Sequence, residues 1–164
     1  MHGISTETIG DSQVTLGCFE VSGRVYALDV GYVREVVRWQ PVTPLPKAPN
    51  LIEGVIDLRG AVVPVVDLGR ALVGVPIETG PRARIAVVEV EGLVLGLAVD
   101  AAIEVLAVDA TEMEDPPGLA TQAGYDAARA VVRRPDSEPI PVISLENLLE
   151  SVYRSALSST QEVQ

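Results

Sequence analysis

Short β-prone runs, separated by glycine- or proline-marked turns, follow one another along most of the chain. Residues 14–21 and 24–30 are two such runs around Ser22-Gly23, a hairpin signal. GYVREVVRW leads through a bend into a strand around 35–39. Pro41, Pro44, Pro46 and Pro49 then forbid regular helix or central strand. Residues 50–53 are expected to make one helical turn, stopped by Gly54. Segments 55–58 and 61–66 read as strands joined by Arg59-Gly60, and Asp67 is a suitable N-cap for a short helix ending near Gly74. After a turn-rich connector at 76–81, strands are expected at 85–90 and 93–99 around Glu91-Gly92, and at 104–108.

The stretch 109–130 is less readable. Pro116-Pro117-Gly118 marks a surface loop, and GLATQAGYDAARA takes no assignment. Segments 130–133 and 140–143 form a hairpin pattern around RPDSEP. Ser144 then caps a helix whose apolar positions Leu145, Leu148, Leu149, Val152, Ala156 and Leu157 share one face. A polar leader at 1–13 and a polar tail at 158–164 flank these elements.

Two segments echo each other. GRVYALDVGYVREV from Gly23 aligns with GLVLGLAVDAAIEV from Gly92, an offset of 69, and VPVVDLGRAL from Val63 aligns with IPVISLENLL from Ile140, an offset of 77. Asp67 falls on Ser144, so even the helix caps correspond. The echo predicts two similar small β units, about 14–80 and 83–143, of the kind that closes into small barrels.

Composition agrees with a β-rich interior, since 48% of residues are hydrophobic and only 4% aromatic. The 164 residues suit one ordinary domain or two very small ones. A chain of this length buries roughly 70% of its unfolded surface and needs no disulfide. The single cysteine, Cys18, lies in the strand TLGCFEV and reads as a small buried hydrophobe. The net charge of −11 repels phosphate backbones and anionic lipid, which leaves a folded protein as the expected partner. There is no signal-peptide pattern and no apolar run approaching the roughly 18 residues of a membrane span, so the cytoplasm is the expected compartment.

Candidate chemistry is sparse. His2, the only histidine, sits on the leader, so no Ser-His or Cys-His arrangement is available, and no phosphate-binding glycine loop occurs. Asp29, Asp57, Asp67 and Asp100 end predicted strands, where aspartates cap and turn the chain. A small acid-base enzyme using Asp57 or Asp67 is a remote alternative that needs two converging carboxylates. The acidic run Glu112, Glu114, Asp115 lacks the ligand spacing of a calcium loop, so neither metal nor cofactor is expected. Arg59 stands apart, a permanent charge at a hairpin tip and suited to a carboxylate, with Glu35 as an available partner. Trp39, beside the proline-rich loop, is a core plug or an interface anchor, and the core is favoured.

The stretch LPKAPNLIEGVIDLRGAVVPVVDL resembles the central signature of the CheW-like family of bacterial chemotaxis coupling proteins. The matching positions are Ile52, Gly54, Val55, Leu58, Arg59, Gly60, Val62, Val63, Pro64, Val65, Val66, Asp67 and Leu68. The strand GRVYALDV with Glu35-Val36, GLAVDAAIEVL from Gly96 and the step IPVISLENLL extend the resemblance over about 14–153. Asp57 departs from it, standing where asparagine is usual, and RAVVRRPDSEP is more charged than expected.

The resemblance implies a mainly β fold of two packed five-stranded SH3-like barrels with a few short helices, spanning 14–157, with the C-terminal helix at 145–157. It also implies a non-catalytic adaptor bridging the cytoplasmic tips of methyl-accepting chemoreceptors to the regulatory domain of the histidine kinase CheA. By position, Glu35, Val36, Asp57, Arg59 and Gly60 would face the receptor, and Val99 and Val105 would lie in an apolar groove between the barrels. Ring-like arrays through barrel-to-barrel contacts are a further expectation. A CheW-like scaffold of a non-flagellar pathway, serving twitching motility or second-messenger output, is the alternative.

Overall fold

The computed structural model describes residues 13–116 and 127–163, with side chains of the last helix described as far as Arg154. The leader with His2, the Pro117-Gly118 part of the surface loop and most of GLATQAGYDAARA lie outside the described residues.

Eleven strands and two α-helices are described. In order these are β1 (Gln13–Val21), β2 (Arg24–Asp29), β3 (Val33–Arg38), β4 (Ile52–Leu58), β5 (Ala61–Asp67), α1 (Leu68–Val73), β6 (Arg84–Val90), β7 (Leu93–Val99), β8 (Ala101–Asp109), β9 (Met113–Glu114), β10 (Ala128–Val132), β11 (Ile140–Ile143) and α2 (Leu145–Val163). The first sheet runs β8-β1-β2-β11-β10-β9 and the second runs β3-β6-β7-β5-β4. The mainly β, two-unit architecture is thus present, although neither backbone ladder closes on itself and one sheet has a sixth, two-residue strand.

The expected division into consecutive units at 14–80 and 83–143 is corrected by the sheet topology. Each half of the chain lends its first hairpin to the other half. The β1–β2 hairpin sits in the sheet built from β8, β10 and β11, while the β6–β7 hairpin sits with β3, β4 and β5. Sequence pattern is blind to this exchange. The two hairpins are echoes of one another, and so are β3 and β8, so either hairpin satisfies either third strand.

Register shows how closely the two sheets correspond. The β1–β2 pair Cys18↔Ala27 becomes Val87↔Gly96 in β6–β7, both 69 residues on. The edge contact β1–β8 places Phe19 opposite Ala102 and Cys18 opposite Glu104, skipping Ile103. The equivalent β3–β6 contact places Val88 opposite Val33 and Val87 opposite Glu35, skipping Arg34. The parallel pair Val65↔Gly96 has its counterpart in Val142↔Ala27. Even the short β9–β10 pairing, Glu114↔Val131, is matched by the isolated bridge Thr43↔Val55. That bridge requires Gly54, because a Cβ there would lie 2.1 Å from the Thr43 carbonyl oxygen.

Three hydrophobic clusters follow from this doubling. One fills the first sheet's curl with Leu16, Cys18, Ala27, Val132, Ile140 and Val142. A second fills the other curl with Ile56, Val63, Val65, Ile85 and Ala98. The largest joins the sheets, bringing Phe19, Tyr26 and Leu28 against Val66, Leu68, Leu95, Leu97 and Val99, with Leu145, Leu148, Leu149 and Val152 of α2 laid on the same core. Each fully buried aliphatic side chain here contributes roughly 1.5–3 kcal/mol relative to exposure. Trp39 is half-buried against the second curl, and its amide donates to the Ala83 carbonyl at 3.1 Å.

Two element assignments change. Residues 50–53 do not form a helical turn, because Ile52 and Glu53 already belong to β4, where Ile52 pairs with Val66. The last helix does not stop at 157 but continues to Val163, since SSTQEV contains no glycine or proline to end it.

Candidate partner-binding site

The Arg59-Gly60 turn is a two-residue hairpin loop with both residues at positive φ, 52° and 87°. Asp57 holds its shape, its carboxylate accepting a hydrogen bond from the Gly60 amide at 2.8 Å. An asparagine Oδ1 would accept the same bond, so the Asp57 departure changes charge rather than turn geometry. The arginine guanidinium donates to the Glu35 carboxylate, and that bond, then the carboxylate's charge, holds Arg59 above its ordinary pKa.

This pair joins parts of the second sheet that share no backbone ladder. Glu35 lies on β3 at one edge of that sheet, and Arg59 sits at the end of β4, the other edge. The sheet therefore curls far enough for side chains to span the gap that backbone hydrogen bonds leave open. Arg59 nevertheless remains 69% exposed as a side chain, with Glu35 at 32%.

A groove of about 290 Å³ opens where β3, the edge of one sheet, meets β8, the edge of the other. Val36, Val99 and Val105 all line it, together with Ala102, Ile103 and Glu104. Val36 and Val105 are equivalent residues of the two halves and stand 49% and 68% exposed. Cys18, whose side chain is buried in the first sheet's curl, is among the lining residues, and its thiol is pushed up first by desolvation and then by the charge of Glu104, against an opposing effect of Arg134.

The strand-end aspartates serve the backbone. Asp29 accepts from the Gly31 amide at 2.8 Å. Asp67 caps α1 by accepting from Arg70 at 3.1 Å, and also accepts from the buried Ile77 amide. Asp100 accepts from Ser22 at 2.6 Å and Glu78 at 2.5 Å, pinning the β1–β2 turn and the 75–83 connector to the β7–β8 junction. In the acidic run, Glu112 completes a capping box with Asp109, and Glu114 pairs with Arg133 at 3.2 Å.

Sequence reasoning missed one member of this surface. Glu104, which occupies the place of Glu35 in the second half, pairs with Arg134 at 3.4 Å. The 69-residue echo aligns the two glutamates, but Arg134 escapes the alignment because RPDSEP replaces the tight Arg59-Gly60 tip. Among the described residues no helix is long and apolar enough to cross a membrane.

Comparison with known proteins places this geometry in context. A family model described as "CheW-like domain" matches residues 15–153. The "Chemotaxis protein CheW" of Rhizobium meliloti is 34% identical over 84% of this chain and 88% of its own length. "Protein FrzA" of Myxococcus xanthus is 29% identical over 86% of this chain and 88% of its own. Among solved structures, the scaffolding protein TtCheW from Thermoanaerobacter tengcongensis superposes with a TM-score of 0.73 at 33% identity, covering 82% of this chain and 86% of that one.

Proposed function

The chain belongs to the CheW-like domain family, and on that premise we propose that it is a non-catalytic adaptor coupling methyl-accepting chemoreceptors to the histidine kinase CheA. The observation that carries the reading is the family match from residue 15 to 153, with the same fold in a solved scaffolding protein. The adaptor works by holding two partners together and relaying conformation, so it needs surfaces rather than a reactive centre. It resides in the cytoplasm and is recruited to membrane-associated receptor arrays, and it uses no cofactor.

The apolar groove between β3 and β8 takes one helix of the receptor tip, in the manner of an amphipathic helix laid into a groove. Val36, Val99 and Val105 supply the apolar contact. Arg59, oriented by Glu35 and presented on the turn that Asp57 and Gly60 shape, fixes the helix in register through a carboxylate or amide oxygen.

Reconstitution tests the reading directly. Purified CheA, a receptor cytoplasmic fragment and this protein together should give higher kinase autophosphorylation than CheA with receptor alone. An unchanged rate in the complete mixture refutes the coupling role. Arg59→Glu should abolish receptor pull-down while leaving the circular dichroism spectrum unchanged, and normal capture by the folded variant refutes the assignment of Arg59. The match to FrzA favours a second reading, the same module in a non-flagellar pathway. Failure to couple a flagellar receptor, together with coupling of a receptor from another pathway, would select it.

A further inference from the structure

The matching registers of the two sheets have a chemical consequence for the groove. Val36 and Val105 occupy the same place in the two halves, as do Glu35 and Glu104. Each glutamate holds an arginine from the opposite β-hairpin tip of its own sheet: Glu35 holds Arg59 and Glu104 holds Arg134. The groove is therefore not apolar with one charged rim. It is apolar along its length with an arginine–glutamate pair on each sheet.

We propose that Arg134, oriented by Glu104, is a second specificity-determining residue for the occupant of this groove, acting from the sheet opposite Arg59. The inference rests on the receptor-tip reading given above. Glu104 itself lines the groove, and Arg134 pairs with it at 3.4 Å. At 3.4 Å the Arg134–Glu104 contact uses one of five guanidinium N–H groups, and the side chain is 39% exposed. Donors are thus left for a partner oxygen. A chain of net charge −11 that pairs one arginine with groove-lining Glu104 and another with Glu35, the neighbour of groove-lining Val36, favours an occupant whose apolar ridge is flanked on both sides by carboxylates or amide oxygens. Arg59 alone reads one flank. The pair reads both and so distinguishes a helix carrying acceptors on each side from one carrying them on a single side.

The competing role is a clasp that merely draws the edges of the first sheet together, and a charge swap separates the two. Binding of the purified receptor cytoplasmic fragment is measured by calorimetry for the wild type, Arg59→Glu, Arg134→Glu, Arg134→Gln and the double variant Glu104→Arg/Arg134→Glu, with thermal unfolding recorded for each. Arg134→Glu is expected to weaken binding at least ten-fold with little change in melting temperature. Arg134→Gln, which keeps a donor, is expected to fall between it and the wild type, and serves if the glutamate variant fails to fold. The double variant restores an ion pair within the protein but moves the arginine from the hairpin tip at 134 to the strand position 104, so it is expected to remain weak.

Full recovery of binding in the double variant overturns the proposal in favour of the clasp. Wild-type affinity in Arg134→Glu, while Arg59→Glu is impaired, overturns the proposal and leaves the receptor-tip reading standing. No binding by the wild-type chain overturns both.

Discussion

Replacing Asp67 by alanine should destabilise the protein far more than the same replacement at its echo, Ser144. Both residues cap a helix that follows a strand, and both are nearly buried, at 8% and 6% exposure. Ser144 Oγ accepts one hydrogen bond, from the Asn147 amide at 3.2 Å. Its loss is an ordinary cap deletion of about 1 kcal/mol. Asp67 accepts the equivalent bond from Arg70 and in addition receives the Ile77 amide on both carboxylate oxygens at 3.2 Å each. Ile77 is itself buried, so its stranded amide adds the desolvation cost of an unsatisfied donor, about 1–3 kcal/mol. Asp67→Ala should therefore lose about 2–4 kcal/mol, lowering the melting temperature by on the order of 5–15 °C for a chain of this size. Asp67→Asn keeps the Oδ1 that serves both amides and should lie between the wild type and alanine. Urea unfolding monitored by far-ultraviolet circular dichroism reads all three variants. Equal losses for Asp67→Ala and Ser144→Ala would refute the reasoning, because they would mean that the Ile77 contact contributes nothing.

Further expectations follow from single contacts. Gly54→Ala sets a methyl group 2.1 Å from the Thr43 carbonyl oxygen and must break the paired 2.9 Å hydrogen bonds between Thr43 and Val55. A loss of at least about 2 kcal/mol in urea unfolding is expected, and a neutral substitution would show that the loop moves aside freely. The Tyr32 hydroxyl donates to Glu146 at 2.6 Å, which holds the Glu146 carboxyl below its usual value of 4.5 and the Tyr32 hydroxyl above 10.0. The stabilisation is thus present between those limits. It is lost as pH falls through the depressed value of Glu146 and as pH rises through the raised value of Tyr32. Tyr32→Phe should lower the urea midpoint at neutral pH, with the gap to wild type closing on acidification below pH 4.5. A gap that stays constant down to strong acid would refute the assignment.

The candidate site shows where sequence reading succeeds and where it stops. Arg59 was legible because a charge at a tight turn between apolar strands has few ways to be buried. Its pairing with Glu35 was only an available option, since β3 and β4 lie at opposite edges of their sheet and meet through curvature alone. The resemblance puts Val36 on the receptor face and Val99 and Val105 in the groove, and nothing in their local pattern says that all three line one cleft. Arg134 stayed hidden because a longer hairpin tip broke the alignment that would have matched it to Arg59.

Taken alone, the sequence determined the local elements and the existence of two similar units. Turn glycines, strand runs of valine and the Asp67 and Ser144 caps are short-range features, set by backbone sterics and by periodicity within a few residues. Only the tertiary structure decided which hairpin joins which sheet. The halves are close enough in pattern that β1–β2 and β6–β7 are interchangeable by hydrophobicity and register. The crossing of the chain after Asp29, and again after Val99, selects the exchanged arrangement. In that exchanged arrangement β3 and β8 line the two sides of the groove on which the proposed adaptor function depends.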